Sequence, residues 1–317
     1  MRPTAVVFAY SEVGVRCLEV LLRAQVEILL IVTHDDDPNE TRWFASVAEL
    51  AQQYRLPWIA PQSADEPQLI ERVAALAPDF IFSFYYRFML SDQILHSAKR
   101  AALNMHGSLL PRFRGRAPVN WAVLRGATET GATLHHMVAR ADAGDIVDQQ
   151  AVAIGEDDDA LTVFRGVCAA AVTVLARSLP KLLAGTAPAT PQQILPGEYF
   201  GRRRPEDGRI DWSRPAREIH NLVRAVAPPY PGAFADILGE RWVVTRTKVL
   251  ANEPDNSCVV QSPGAARRPR LIGSQARCIV ECSDGSRLLL VAAQGPEGAV
   301  DLAAVAARLE DSPLELG

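Results

Sequence analysis

The chain has 317 residues, with 33 Lys and Arg against 37 Asp and Glu, for a formal net charge of −4 and an isoelectric point near 5.9. This balance argues against a large nucleic-acid footprint, which normally shows as a basic excess. With 48% hydrophobic residues the chain can bury one large core and a smaller second one, so two domains are expected.

Five cysteines at scattered spacings, with no Cys-x-x-Cys pair, indicate neither a disulfide framework nor a zinc site, and they fit a reducing cytoplasm. No signal-peptide pattern precedes the first strand-like run, and no apolar run is expected to approach the roughly 20 residues of a membrane helix. No membrane insertion is expected.

Thr4 to Tyr10 is a continuous apolar run, Val13 to Arg23 has helical spacing, and Val26 to Thr33 is apolar again, which reads as a β-α-β unit with buried parallel strands. The first turn, Ser11-Glu12-Val13-Gly14, lacks the Gly-x-Gly-x-x-Gly fingerprint, and no phosphate-loop motif occurs. A Rossmann-like topology without NAD follows. The acidic stretch His34 to Glu40 contains Pro38 and has no metal-ligand spacing, so it reads as a solvated loop, and no metal is expected.

Helical patterns at Trp43 to Arg55 and Glu66 to Leu76 flank a short strand near Trp58, and Phe80 to Tyr86 forms an aromatic strand. Phe80 and Phe82 suit the core. Tyr85, Tyr86 and Arg87 fall at the carboxyl edge, where open α/β sheets bind ligands, and read either as core or as ligand-facing.

Ala101 to Pro118 carries the chemistry. It begins as a buried strand and breaks at Gly107 into a segment punctuated by Pro111, Gly115 and Pro118. Residues two apart on a strand share a face, so Asn104 and His106 project together while Met105 turns into the core. An amide can donate to an oxygen gaining charge, and an imidazole can move the proton of an attacking amine. Ser108 reads as a turn hydrogen-bonding residue rather than a nucleophile.

Val119 to Arg125 is helical, and Gly131 to Val138 is strand-like. His135 and His136 point to opposite faces there and are given structural or surface roles. Asp142 sits in a loop of small residues, and Asp157-Asp158-Asp159 reads as the cap of a helix from Leu161 to Leu183.

Residues 1–190 are expected to form a catalytic domain, 191–204 a linker, and 205–317 a C-terminal domain with one helix near Glu218 to Val226 and several short strands. Arg267-Arg268-Pro269-Arg270 reads as a solvated hairpin loop in preference to a phosphate patch.

The run Asn104-x-His106-Gly-Ser-Leu-Leu-Pro111, followed by Arg114-Gly-Arg-Ala-Pro118 and by Ala141-Asp142-Ala-Gly-Asp145, resembles the folate-dependent formyltransferases. Val7 to Tyr10, Phe82 to Arg87, Arg140 to Gly144 and Phe200-Gly-Arg-Arg203 make it most similar to the formyltransferase half of the bifunctional UDP-4-amino-4-deoxy-L-arabinose enzymes of lipid A modification. The methionyl-tRNA formyltransferases share the core signature.

The resemblance implies an α/β Rossmann-like domain with a mainly parallel sheet, then a smaller OB-like β-barrel domain. It implies 10-formyltetrahydrofolate as co-substrate, a sugar-nucleotide amine as acceptor, a cytoplasmic setting and a link to antibiotic resistance. Catalysis would fall to Asn104, His106 and Asp142. Folate would be held by Phe88, Met89, Leu90 and Arg116, and by Val138, Ala139, Arg140, Ala141 and Asp142. Tyr85, Tyr86, Arg87, Arg202 and Arg203 are the acceptor-side candidates, although Arg202 to Arg204 reads equally as a solvated linker.

The chain ends at Gly317 without the second half of the bifunctional enzymes, so a stand-alone formyltransferase or a cut segment is expected. Two alternatives stay open: a methionyl-tRNA formyltransferase, against which the acidic charge and Gly107 weigh, and a non-catalytic folate- or nucleotide-sensing module, against which the full set of Asn104, His106 and Asp142 weighs. The acceptor's sugar and base and the oligomeric state are not fixed by these residues.

Overall fold

The structure is a computed structural model and describes residues 2–35, 42–194, 196–251, 268–310 and 312–317. The chain divides into two units: residues 1–119, 129–153 and 163–202 form the first, and residues 120–128, 154–162 and 203–317 form the second.

In chain order the first part of the chain gives β1 (Thr4–Ala9), α1 (Ser11–Arg23), β2 (Glu27–Val32), α2 (Val47–Gln53), β3 (Trp58–Ile59), α3 (Pro67–Leu76), β4 (Phe80–Phe84) and α4 (Asp92–Leu95). There follow β5 (Ala101–His106), β6 (Arg114–Gly115), α5 (Pro118–Leu124), β7 (Glu129–His136), β8 (Ile146–Ala153), α6 (Ala160–Ala184) and β9 (Tyr199–Phe200). Seven of the strands form one sheet in the order β3-β2-β1-β4-β5-β7-β8. The pairs from β3 to β5 are parallel, and β7 and β8 are antiparallel additions.

This is the expected Rossmann-like sheet, with its order reversing between β1 and β4. The apolar runs become its centre because both faces are covered. Ala5 to Ala9 and Phe80 to Phe84 are buried throughout, and alternation puts Phe80, Phe82 and Phe84 in one stack while Phe8 and Ile81 enter the opposite core with Leu30, Leu69 and Val73.

One expectation needs correction: α6, at 25 residues, is long and apolar enough by length and composition alone to cross a membrane. The helix itself was expected over Leu161 to Leu183, but Arg165, Arg177 and Lys181 break its apolar run in the sequence. Half of the apolar window is buried, with Val167, Val174 and Leu175 in the core, as befits a helix covering a sheet. The Arg100 guanidinium closes its end by donating to the carbonyls of Leu182 and Leu183, both at 2.8 Å. Asp159 caps its start by accepting from the Thr162 N–H at 2.7 Å, as expected for the acidic triplet.

The second unit adds α7 (Ala216–Val226), β10 (Ala233–Ile237), β11 (Glu240–Leu250), β12 (Arg270–Ser274), β13 (Arg277–Glu281), β14 (Arg287–Gly295), β15 (Gly298–Ala299), α8 (Leu302–Leu309) and β16 (Leu314–Glu315). Its strands run β10-β11-β14-β13-β12-β16, antiparallel throughout, a curled half-barrel in keeping with the expected OB-like domain. Alternate residues of β11, Trp242, Val244 and, after a register shift, Thr247, face its core.

Helix α7 buries polar residues as well as apolar ones, because they tie in the two segments from earlier in the chain. Arg224 donates to the Asp158 carbonyl at 3.0 Å and to Asn221 Oδ1, His220 donates through Nε2 to the Glu156 carbonyl, and Asn120 donates to the Ala225 carbonyl.

Two loop readings lie partly outside the described residues: Asp36 to Glu40 of the acidic stretch, and Arg267 of the basic one. Arg268 and Arg270 are described, and they pair with Glu315 and Glu281.

Candidate active site

Strand β5 delivers Asn104 and His106 to the carboxyl edge of the sheet, and Met105 between them is buried in the core. Strand β7 lies antiparallel beside it, with Asn104 directly opposite His135. The loop after β7 brings Asp142 back with φ at 51°, a left-handed conformation that Asp tolerates better than most residues.

The Asp142 carboxylate stands between two imidazoles: Oδ1 is 3.5 Å from His106 Nδ1 and 3.6 Å from His135 Nε2. Its Oδ2 accepts the Gly115 N–H at 2.9 Å. Burial opposes its charge, but His106, then His135 and the Gly115 amide hold it well below the usual carboxylate range.

A carbonyl can only accept, so two carbonyls assign the ring protons. His106 Nε2 donates to Phe113 O at 2.9 Å, which leaves Nδ1 facing Asp142. His135 Nδ1 donates to His136 O at 2.8 Å, so its Nε2 accepts from the Asn104 amide at 3.1 Å. The other Asn104 N–H reaches Asp142 Oδ1 only at 3.5 Å, the outer limit of a hydrogen bond, and is the donor most readily given up to a substrate oxygen.

His135 was expected to be structural or at the surface. It is buried inside this group, and His136, as alternation requires, faces away. The signal was the register of β7 against β5, which sequence spacing does not contain.

Two further residues escaped the sequence reading. Arg114, 3% exposed, donates to the carbonyls of Ala141 and Asp142 and so shapes the Asp142 loop. Gln192 Nε2 donates to the Asp142 and Gly144 carbonyls at 3.1 and 2.6 Å. Gln192 and β9, which pairs in parallel with β6, lie in the segment expected as a linker, yet up to Arg202 it belongs to the first unit.

Gly115 holds φ at +97°, and a Cβ there would strike the Phe200 carbonyl. Gly107 is required for another reason: the Tyr85 hydroxyl occupies the place its Cβ would take. Ser108 is buried and donates to the Arg112 carbonyl at 2.6 Å, the turn role expected of it.

The folate-side candidates separate by exposure. Phe88, Met89 and Val138 are 37%, 55% and 45% exposed, a large apolar area to leave in water, and Ala139 and Arg140 are exposed beside them. Leu90 is turned into the core with Ile94, so only its backbone can meet a ligand. Arg116 donates to the Arg87 carbonyl at 3.2 Å, linking the two runs. Val138 and Ala139, with Leu95, His96, Ala102 and Met137, line an open cleft of about 460 Å3.

On the other flank, at the reversal between β1 and β4, His34 stacks on Tyr86 at 4.4 Å and accepts the Arg87 N–H at 3.0 Å, while the Arg87 guanidinium lies over Tyr10 at 4.4 Å. Burial, with Arg87 nearby, pushes His34 down to about 4. Arg202 is exposed in the first unit, and Arg203 belongs to the second, lying 5.1 Å from the Trp121 ring.

Similar proteins share this framework. The solved structure of WlaRD, a sugar 3N-formyl transferase in the presence of dTDP and 5-N-formyl-THF, is 16% identical with a TM-score of 0.66, over 93% of this chain and 98% of that one. An N-formyltransferase from Helicobacter canadensis, in complex with folinic acid and dTDP-3-aminofucose, is 18% identical with a TM-score of 0.65, over 92% and 99%. HypX from Aquifex aeolicus in complex with tetrahydrofolic acid is 19% identical with a TM-score of 0.57, over 97% of this chain and 47% of that one. These likenesses establish the fold. Residues 7–179 match the family model for formyl transferase and residues 203–303 that for its C-terminal domain. With more than half of its length matched, and an amide, an imidazole and a buried carboxylate converging at the edge of the sheet, the chain belongs to the formyl transferase family.

Proposed function

We propose that the protein transfers the formyl group of 10-formyltetrahydrofolate to the amine of a sugar nucleotide, with UDP-4-amino-4-deoxy-L-arabinose as the acceptor. The observation that carries the chemistry is the buried contact of His106 and Asn104 with one charged carboxylate, Asp142. The solved structures with dTDP, dTDP-3-aminofucose and formylated folates support a sugar-nucleotide acceptor and a folate donor, and the arabinose choice rests on the sequence resemblance.

The donor fits the residues present: an exposed apolar surface of Phe88, Met89 and Val138, with backbone groups of the 138–142 loop, suits a flat, hydrogen-bonding pterin. It supplies the formyl carbon, whose bond to folate nitrogen breaks as the new amide bond forms.

The chain's own groups then have distinct tasks. The Asn104 N–H that now reaches weakly to Asp142 donates to the formyl oxygen as that oxygen gains charge. His106 takes the amine proton at Nδ1, the nitrogen its bond to Phe113 leaves free, and passes it to the departing folate nitrogen. Asp142, fixed by Gly115, faces that protonated nitrogen and keeps the ring in place.

Single-turnover formylation by Asn104→Ala, His106→Ala and Asp142→Ala should each fall by about 100-fold or more. Offered in parallel, UDP-4-amino-4-deoxy-L-arabinose should be consumed and methionyl initiator tRNA should not. Turnover on tRNA alone would move the acceptor assignment to tRNA. Folate binding with no turnover on any amine would favour the sensing module.

A further inference from the structure

The cleft of about 460 Å3 beside the 138–142 loop lies wholly within the first unit, and one of its walls is helix α4, which takes no part in the catalytic group. Asp92, Leu95 and His96 border the cleft while Gln93 and Ile94 do not, which is the i, i+3, i+4 face of a single helical turn. Ile94 is buried in the core behind that face. The cleft therefore meets two polar side chains of α4, with Leu95 between them.

Both are acceptors. Asp92 accepts His96 Nδ1 at 2.6 Å through its carbonyl, and among the described residues its carboxylate has no hydrogen bond or ion pair. A carbonyl can only accept, so Nδ1 carries the ring proton and Nε2 of the neutral His96 presents a lone pair. Of the other polar residues at the cleft, Arg100 spends its guanidinium on the Leu182 and Leu183 carbonyls, and His136 lies on the other face of β7. An apolar cleft whose spare side-chain groups only accept is matched to a flat ligand with N–H donors along one edge.

The cleft also leads to the chemistry. Ala102, on its floor, is two residues before Asn104 and four before His106 on β5, and alternation puts all three on one face. At the strand's rise these lie about 7 and about 13 Å further on, the span of a pterin and the bridge to its N10.

We propose that Asp92, assisted by His96, reads the 2-amino and N3–H edge of the folate pterin and so makes the cleft specific for a 2-amino-4-oxo ring. The inference rests on the 10-formyltetrahydrofolate reading above and adds to it the side chains that select the ring. The two oxygens of a carboxylate match two parallel N–H donors at once, and the charge strengthens both bonds. With that edge beside α4, the opposite end of the ring, which carries the formylated nitrogen, points along β5 to Asn104 and His106.

The test is calorimetric titration of the full chain with 10-formyl-5,8-dideazafolate, which keeps the 2-amino group, and with its 2-desamino-2-methyl counterpart, which replaces that donor by a methyl group. Wild type should prefer the 2-amino compound by about tenfold or more, the worth of a hydrogen bond to a charged group. Asp92→Ala should erase most of this preference, weakening the 2-amino compound far more than the 2-methyl one, whose retained binding reports an intact fold. His96→Leu should reduce the preference less, because a neutral lone pair makes the weaker bond.

Equal affinity of wild type for the two compounds, or a preference left whole in Asp92→Ala, would overturn the assignment and leave folate as the donor. Wild type that bound neither compound nor 5-formyltetrahydrofolate would overturn both. Should Asp92→Ala bind neither compound, Asp92→Asn takes its place: a reduced preference there supports the assignment and a whole one overturns it.

Discussion

At the scale of single residues the site depends on what surrounds His106 as much as on His106 itself. Because the Tyr85 hydroxyl fills the space beside Gly107, a methyl group there has to push the ring away or shift the backbone that carries His106. Gly107→Ala is therefore expected to cost about 1–3 kcal/mol as an overpacked contact and to lower the formylation rate. Tyr85→Phe removes the worst of the collision and should restore part of both in the double variant, a coupling that urea denaturation of the four proteins in one cycle would measure. Additive effects would show that the two positions do not meet. Asn104, His106 and Asp142 were legible in the sequence because their chemistry needs those residue types in a spacing that a strand end supplies. His135 was not legible, since the alternation rule put it and His136 on opposite faces but could not say which of them faced the site or which strand lay opposite. Arg114 was quoted within the motif without a role, because its partners are backbone carbonyls that only the folded loop presents.

At the scale of elements, the loop from 138 to 144 is the piece that both parts of the chemistry share: it brings Asp142 to His106 and it exposes the residues assigned to folate. Two side chains from outside hold its carbonyls, Arg114 from β6 and Gln192 from the segment between α6 and β9. The Pro-, Thr- and Ala-rich composition around Gln192 lacks any period and so read as linker, because composition reports the absence of regular structure and not the absence of contacts. Gln192→Ala removes two hydrogen bonds to loop carbonyls, so a loss of roughly 1–3 kcal/mol in stability is expected. The rate should fall by about tenfold or more, since a small displacement of Asp142 misaligns His106. Gln192→Glu keeps the length but turns a donor into an acceptor facing carbonyls, and it should be the worse of the two. Equal kcat values in wild type and Gln192→Ala, measured with saturating donor and acceptor, would relieve Gln192 of this role.

At the scale of the molecule, the β-α-β pattern announced the first sheet, yet the route of the chain between the units was hidden. Residues 120–128 and 154–162 sit with the second unit because His220, Arg224 and the Ala225 carbonyl of α7 satisfy their polar groups, and a nine-residue excursion leaves no periodic signature. In both units burial disfavours the charged form of particular histidines. Burial lowers His220 in the second and His136 in the first, and it pushes His34 down to about 4. His34 has its Nε2 lone pair committed to the Arg87 N–H and stacks on Tyr86, with the Arg87 charge close by, so a second ring proton would break the hydrogen bond and meet a like charge. The unfolded chain takes that proton near the ordinary histidine value of about 6.5 and the folded chain does not until about 4. Between these values the unfolded state binds more protons, so stability is whole above the upper value and declines as the pH falls toward the lower one. Asp142 and Asp79, held low in the fold, add a loss that begins only nearer the usual carboxylate range. Thermal melts from pH 7.5 to 4.5 should therefore show the first decline near pH 6.5, in the histidine window. His34→Gln, whose side-chain oxygen can still accept the Arg87 N–H and cannot take up a proton, should melt with a shallower dependence over that interval. Parallel curves for the two proteins would mean that His34 is accommodated equally in both charge states and that the decline belongs to His136 and His220.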